Sequence, residues 1–111
     1  MTTTIAQERI ELVCTPAAIS QEDREAHMAN GQQLLSQACL EKKELPDGYA
    51  FKFAANQFEN ITQFIANERL CCAFFTFELK IAPNQDPIWL HIRGNEQIKT
   101  FLQTELQAGG N

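Results

Sequence analysis

The feature that most limits what this chain can fold into is the stretch from Phe75 to Ile92. Phe75, Phe77, Leu79 and Ile81 alternate with Thr76, Glu78 and Lys80, which gives an extended chain one apolar and one polar side. Pro83-Asn84-Gln85-Asp86-Pro87 interrupts the pattern, and Ile88, Leu90 and Ile92 resume it. Two alternating runs across such a turn predict a β-hairpin with one face to bury.

The remaining elements follow from the same period arguments. Ile10, Leu12 and Cys14 alternate with Arg9, Glu11 and Val13, predicting a strand over 9–15 that Pro16 stops. Ser20 followed by Gln21-Glu22-Asp23 predicts a capped helix with acids in its first turn, where the helix dipole favours them. Met28, Leu35, Ala38 and Cys39 lie at helical spacing along it, and its end is expected near Glu41. Gly31 inside that helix costs about 1 kcal/mol relative to Ala unless something packs closely there. Leu45-Pro46-Asp47-Gly48 is a turn signal, since proline fixes φ and glycine tolerates positive φ. Tyr49, Phe51 and Phe53 predict a second strand.

Asn56 with Glu59 three residues on reads as a capping box for a second helix bearing Phe58, Ile61, Ile65 and Cys72 on one side, with Cys71 about 100° round toward the edge. A last helix carries Ile98, Phe101, Leu102 and Leu106. The order is β-α-β-α-β-β-α, an α+β class with a four-stranded, largely antiparallel sheet and helices mainly on one face. From its second strand onward it is the ferredoxin-like order with the last strand moved to the front. The expected core is Ile10, Leu12, Phe51, Phe53, Phe58, Ile61, Ile65, Phe75, Phe77, Leu79, Leu90, Ile92, Phe101 and Leu102.

With 111 residues the chain has room for a single domain, expected over 8–107, with residues 1–7 and 108–111 as flexible ends. Nine basic against fourteen acidic side chains give a net charge of −5, which repels phosphate backbones and makes nucleic acid an unexpected partner. The start of the chain lacks the charged and apolar regions of a signal peptide, and the longest apolar run, Leu70 to Phe75, is far too short to span a bilayer. A cytoplasmic location and reduced cysteines are the expectation. In that setting a disulfide is the weakest reading of the four cysteines, behind burial, metal ligation and redox roles.

The chemically suggestive residues are the adjacent Cys71 and Cys72 in Glu68-Arg69-Leu70-Cys71-Cys72-Ala73-Phe74-Phe75. A nucleophilic role is disfavoured, because the end of a helix carries partial negative charge that opposes a thiolate, and Glu68 adds to it. Arg69 offsets this in part. Soft thiolates select thiophilic ions such as Cu(I) and Zn(II), so both cysteines are candidate ligands, with Glu68 and Arg69 as groups supporting them. No CxxC is present, so a structural zinc site lacks its usual signature. The alternative is packing, since reduced cysteine behaves as a small hydrophobe. His91 is expected to face away from the core at a solvated or helix-covered position, and His27 to be a surface residue of the first helix.

Leu45-Pro46-Asp47-Gly48-Tyr49-Ala50-Phe51, Glu68-Arg69-Leu70-Cys71-Cys72 running into Phe74-Phe75-Thr76-Phe77-Glu78-Leu79, and Ile88-Trp89-Leu90 resemble a group of short uncharacterised bacterial proteins with an Arg-x-Cys-Cys-Pro-Phe-Phe signature. Here Ala73 stands at the proline position. The resemblance spans most of the chain from Arg9 to Leu106 and implies no reaction; it marks Cys71 and Cys72 as the place to look.

Two functional readings follow. One is a small intracellular module binding a thiophilic metal or metalloid through Cys71 and Cys72. The other is a noncatalytic, homodimeric interaction protein with structural cysteines, its contact surface the sheet face bearing Val13, Ala50, Trp89 and His91. Neither reading identifies a small-molecule ligand. No P-loop, dinucleotide fingerprint, HExxH or Ser-His-Asp arrangement supports an enzyme.

Overall fold

Alternating apolar residues make a sheet only when a partner strand matches their phase, and here one strand matches two partners. The computed structural model describes residues 16–84 and 86–109. The strand expected over 9–15, with Ile10, Leu12, Val13 and Cys14, lies outside the described residues, as does Gln85. A 3-10 turn, Pro16–Ala18, precedes helix α1, Gln21–Gln33, which closes in a π-helical turn, Leu34–Ala38. Strands β1, Glu41–Leu45, and β2, Gly48–Phe53, follow; then come a 3-10 turn, Ala55–Gln57, and helix α2, Phe58–Cys71. Strands β3, Thr76–Ile81, and β4, Ile88–Arg93, lead to helix α3, Glu96–Gly109.

The class is α+β, with a four-stranded antiparallel sheet ordered β1-β2-β4-β3. Strands β2 and β3 run parallel on either side of β4, connected through α2. Among the described residues, the strand at the front of the permuted ferredoxin-like order is β1. Its sequence, Glu41-Lys42-Lys43-Glu44-Leu45, shows no apolar alternation, and no strand is expected there, only a helix end near Glu41 and a turn from Leu45. The helix stops at Ala38; Cys39 turns extended, and the Leu40 amide donates to the Lys52 carbonyl at 2.7 Å. The pairing is imposed by the short Pro46-Asp47 loop, and charges suit an edge strand because they discourage pairing with another chain. Gly48 is needed for closeness rather than for positive φ: a Cβ there would stand 2.0 Å from the Ile92 carbonyl oxygen across the β2–β4 pair.

Register divides the sheet into two faces. Tyr49, Phe51, Phe53, Ile88, Leu90 and Ile92 point to one side, where Leu34, Ile61 and Phe64 from the helical layer and Leu102 of α3 complete a buried core. Phe77, Leu79, Ile65 and Phe75 pack around it half-buried. The second face carries Lys43 on β1, Ala50 and Lys52 on β2, Trp89, His91 and Arg93 on β4, and Glu78 and Lys80 on β3. Glu44 accepts from Lys99 at 2.5 Å, tying the edge strand to α3.

Three expectations are corrected by how the helices face. In α1 the inward positions are His27, Gly31 and Leu34 at i, i+4 and i+7, so Met28 is 68% exposed. Gly31 has its close neighbour: a Cβ there would lie 3.1 Å from the Phe64 ring. The capping box at Asn56 and Glu59 does not form, because the Gln57 amide instead donates to the Ala54 carbonyl in the 3-10 turn and α2 starts at Phe58. Phe58, expected in the core, is 41% exposed, since a side chain at the first helical position leans back beyond the packed layer.

Phe51 is 1% exposed at the centre of this arrangement. Phe51→Ala should lower stability by about 3–5 kcal/mol, much of what a domain of this size has. Urea denaturation measures it, and a loss below about 1 kcal/mol would contradict the core assigned here.

Candidate functional site

The cysteine pair is positioned by the end of one helix and the start of another. Helix α2 runs to Cys71, and Cys72 leaves helical geometry at φ −118°, ψ 81° while its amide still donates to the Glu68 carbonyl at 2.7 Å. Because the chain turns out of the helix at Cys72, a helical wheel does not give its direction. Cys71 is 9% and Cys72 4% exposed, so both are buried, and the edge position expected for Cys71 is not observed. Their sulfurs lie 3.9 Å apart.

Ile19 covers them, with Phe74 and Phe75 packed alongside, in a second apolar cluster distinct from the main core. Local hydrogen bonds hold Ile19 in place. The Ser20 hydroxyl accepts from the Asp23 amide and caps α1, while Arg24 Nε donates to the Ile19 carbonyl at 3.2 Å. The aromatic wall is continuous: Phe74 meets Phe75 at 4.8 Å and Phe101 at 5.2 Å, both edge to face.

Cys72 is disulfide-bonded, whereas Cys71 and Cys39 are outside any disulfide. This corrects the expectation that a disulfide is the weakest reading. Chain position says nothing of which sulfurs a fold brings within bonding reach, and that reach decides the matter.

Glu68 faces a residue that sequence reasoning placed elsewhere. His27 is buried at 5% exposure, and its Nε2 lies 2.8 Å from Glu68 Oε1 across the α1–α2 contact. Its ring stacks on Phe64 with centroids 5.5 Å apart. The opposite nitrogen, Nδ1, is buried without a hydrogen-bond partner among the described residues. A proton on Nε2 donated to the carboxylate leaves Nδ1 a bare acceptor, which costs less than an unpaired donor, so the pair favours that tautomer. The signal that could have found His27 was its i, i+4, i+7 spacing with Gly31 and Leu34. Arg69 is exposed. Among the described residues, no group of three or more His, Cys, Asp or Glu side chains is gathered to hold a metal ion.

The second face of the sheet is a separate polar constellation. His91 points away from the core as expected, and of the solvated and covered positions expected for it, it does not take the solvated one, being buried. Its Nδ1 lies 3.3 Å from Glu78 Oε1, and Arg93 donates at 2.7 Å to both Glu78 and Asp47. The guanidinium hydrogen bond holds the Glu78 carboxyl below its ordinary range. Lys43 lies 4.9 Å and Lys52 6.0 Å from the centre of the Trp89 ring.

In comparisons with known proteins, no family model, curated protein or solved structure matches this chain. Among the described residues, no helix is long and apolar enough to cross a membrane.

Glu68→Ala should cost about 1–3 kcal/mol, because it strands a buried imidazole donor. Gln63→Ala, at an exposed position of the same helix, should change stability by less than about 0.5 kcal/mol. Equal urea midpoints for the two variants would contradict the His27–Glu68 contact.

Proposed function

We propose that this chain is a small intracellular module that takes up a thiophilic metal or metalloid between Cys71 and Cys72 in their reduced form. The observation that carries the reading is the 3.9 Å sulfur separation. Two thiolate bonds of about 2.3 Å, meeting at a tetrahedral or trigonal angle, need sulfurs about 3.8–4.0 Å apart. The surrounding Ile19, Phe74 and Phe75 favour a soft, weakly hydrated ion over a hard one. With two thiol ligands and no larger cluster among the described residues, the bent angle suits a species that brings a third ligand of its own, a monosubstituted trivalent arsenical or Cu(I) with one exogenous donor. Four-coordinate zinc would need further ligands. Glu68 contributes through the helix end it shares with the pair and through His27, and Arg69 supplies positive charge nearby. A cytoplasmic setting and kinship with the short bacterial Arg-x-Cys-Cys-Pro-Phe-Phe proteins belong to this reading.

Both cysteines must reach the ion as thiolates, so uptake releases protons and strengthens as pH rises. Calorimetric titration of reduced protein with Cu(I) in a competing chelator should give one ion per chain, with tight binding lost in Cys71→Ser and in Cys72→Ser. Circular dichroism confirms that the variants are folded. Equal, weak uptake by wild type and the double variant would leave packing as the role of both residues.

Trp89 and its lysines favour a second property, self-association. Tryptophan is a residue type in which interfaces concentrate their energy, and Trp89 stands on a sheet face with the lysines at its rim. Light scattering should report a dimer at micromolar concentration that Trp89→Glu converts to monomer. A wild type that stays monomeric at high concentration would remove this property.

A further inference from the structure

We infer that the ion site is gated by the oxidation state of Cys72. The inference rests on the reading of Cys71 and Cys72 as ligands and adds its regulation. Cys72 is held in a disulfide while its neighbour Cys71, 3.9 Å away, stands outside it. A disulfide sulfur bears no thiolate charge, and the thiolate is the form that ligates. In the oxidised chain the site therefore offers one ligand. Reduction supplies the second within the apolar cluster that Ile19, Phe74 and Phe75 form with both cysteines.

The chemistry balances with a cellular dithiol as reductant. One of its thiolates attacks the protein disulfide, forming a mixed disulfide and expelling one protein thiolate. Its second thiol then closes the reductant's own disulfide and expels the other. Two electrons pass to the protein and two protein thiols result, one of them Cys72. Ion binding displaces the protons of Cys71 and Cys72. Reoxidation withdraws Cys72 and leaves Cys71 as a single, weaker ligand. The site would thus hold a soft ion under reducing conditions and release it under oxidising ones. Cys39 is no part of this device: its thiol points to the Glu41 carbonyl at 3.2 Å, outside the cluster.

The test compares protein purified without reductant with the same protein treated with dithiothreitol and desalted anaerobically. Thiol titration in denaturant should rise by two per chain on reduction. Cu(I) affinity, measured by chelator competition, should rise by about 100-fold or more, the gain expected when a second ligand joins a first on one scaffold. Cys39→Ser should keep that difference, and folded Cys71→Ser should lose it. Equal affinity in both states, or no rise in thiol count, would overturn the gating while leaving the ion site in place. Uptake in neither state would remove the ion site, and the gating with it.

Discussion

The structure depends on the position of β4 between two partners. Ile88, Leu90 and Ile92 must face the same side as Phe51 and Phe53 on β2 and Phe77 and Leu79 on β3. A shift of one residue in either pairing would turn an apolar row outward, so the register is fixed by burial. The register also fixes the second face, because the intervening residues Trp89, His91 and Arg93 cannot point anywhere else. One phase choice thus produces both the core and the polar constellation of Glu78, His91, Arg93 and Asp47.

The cysteine site comes from a different constraint, the way α2 ends. Its last turn reaches past the main core, and the chain must then return to enter β3. The turn at Cys72 brings two consecutive side chains beneath Ile19 instead of splaying them around a helix. Phe74 and Phe75 anchor the return by packing on each other and on Phe101 of α3. Proline is absent at position 73, yet the helix still stops, since this aromatic packing supplies the boundary that a proline ring would have enforced.

What was legible in the sequence was whatever a period could encode. The Phe75–Ile92 hairpin, the Tyr49–Phe53 strand, the Ser20 cap and the turn at Pro46-Asp47 all have local physical causes, and all are present. What was not legible depended on contacts between distant segments. Strand β1 is charged at four of its five residues and pairs only because β2 is folded back upon it. His27 reads as a surface residue until Glu68, forty-one positions away, is seen to hold its ring. Phe58 shares the apolar side of α2 but sits where the helix begins, beyond the packed layer. Cys71 and Cys72 stood out from their adjacency, but the wheel misplaced Cys71, and the disulfide at Cys72 had no sequence signal at all.

The central claim is that two adjacent sulfurs in an apolar cluster form one ion site when both are reduced. X-ray absorption at the copper edge, on reduced protein carrying one equivalent of Cu(I), addresses it directly. The account predicts two sulfur neighbours at about 2.2–2.3 Å in the wild type and one in Cys71→Ser. A first shell of nitrogen and oxygen alone, or a spectrum unchanged by that substitution, would contradict it.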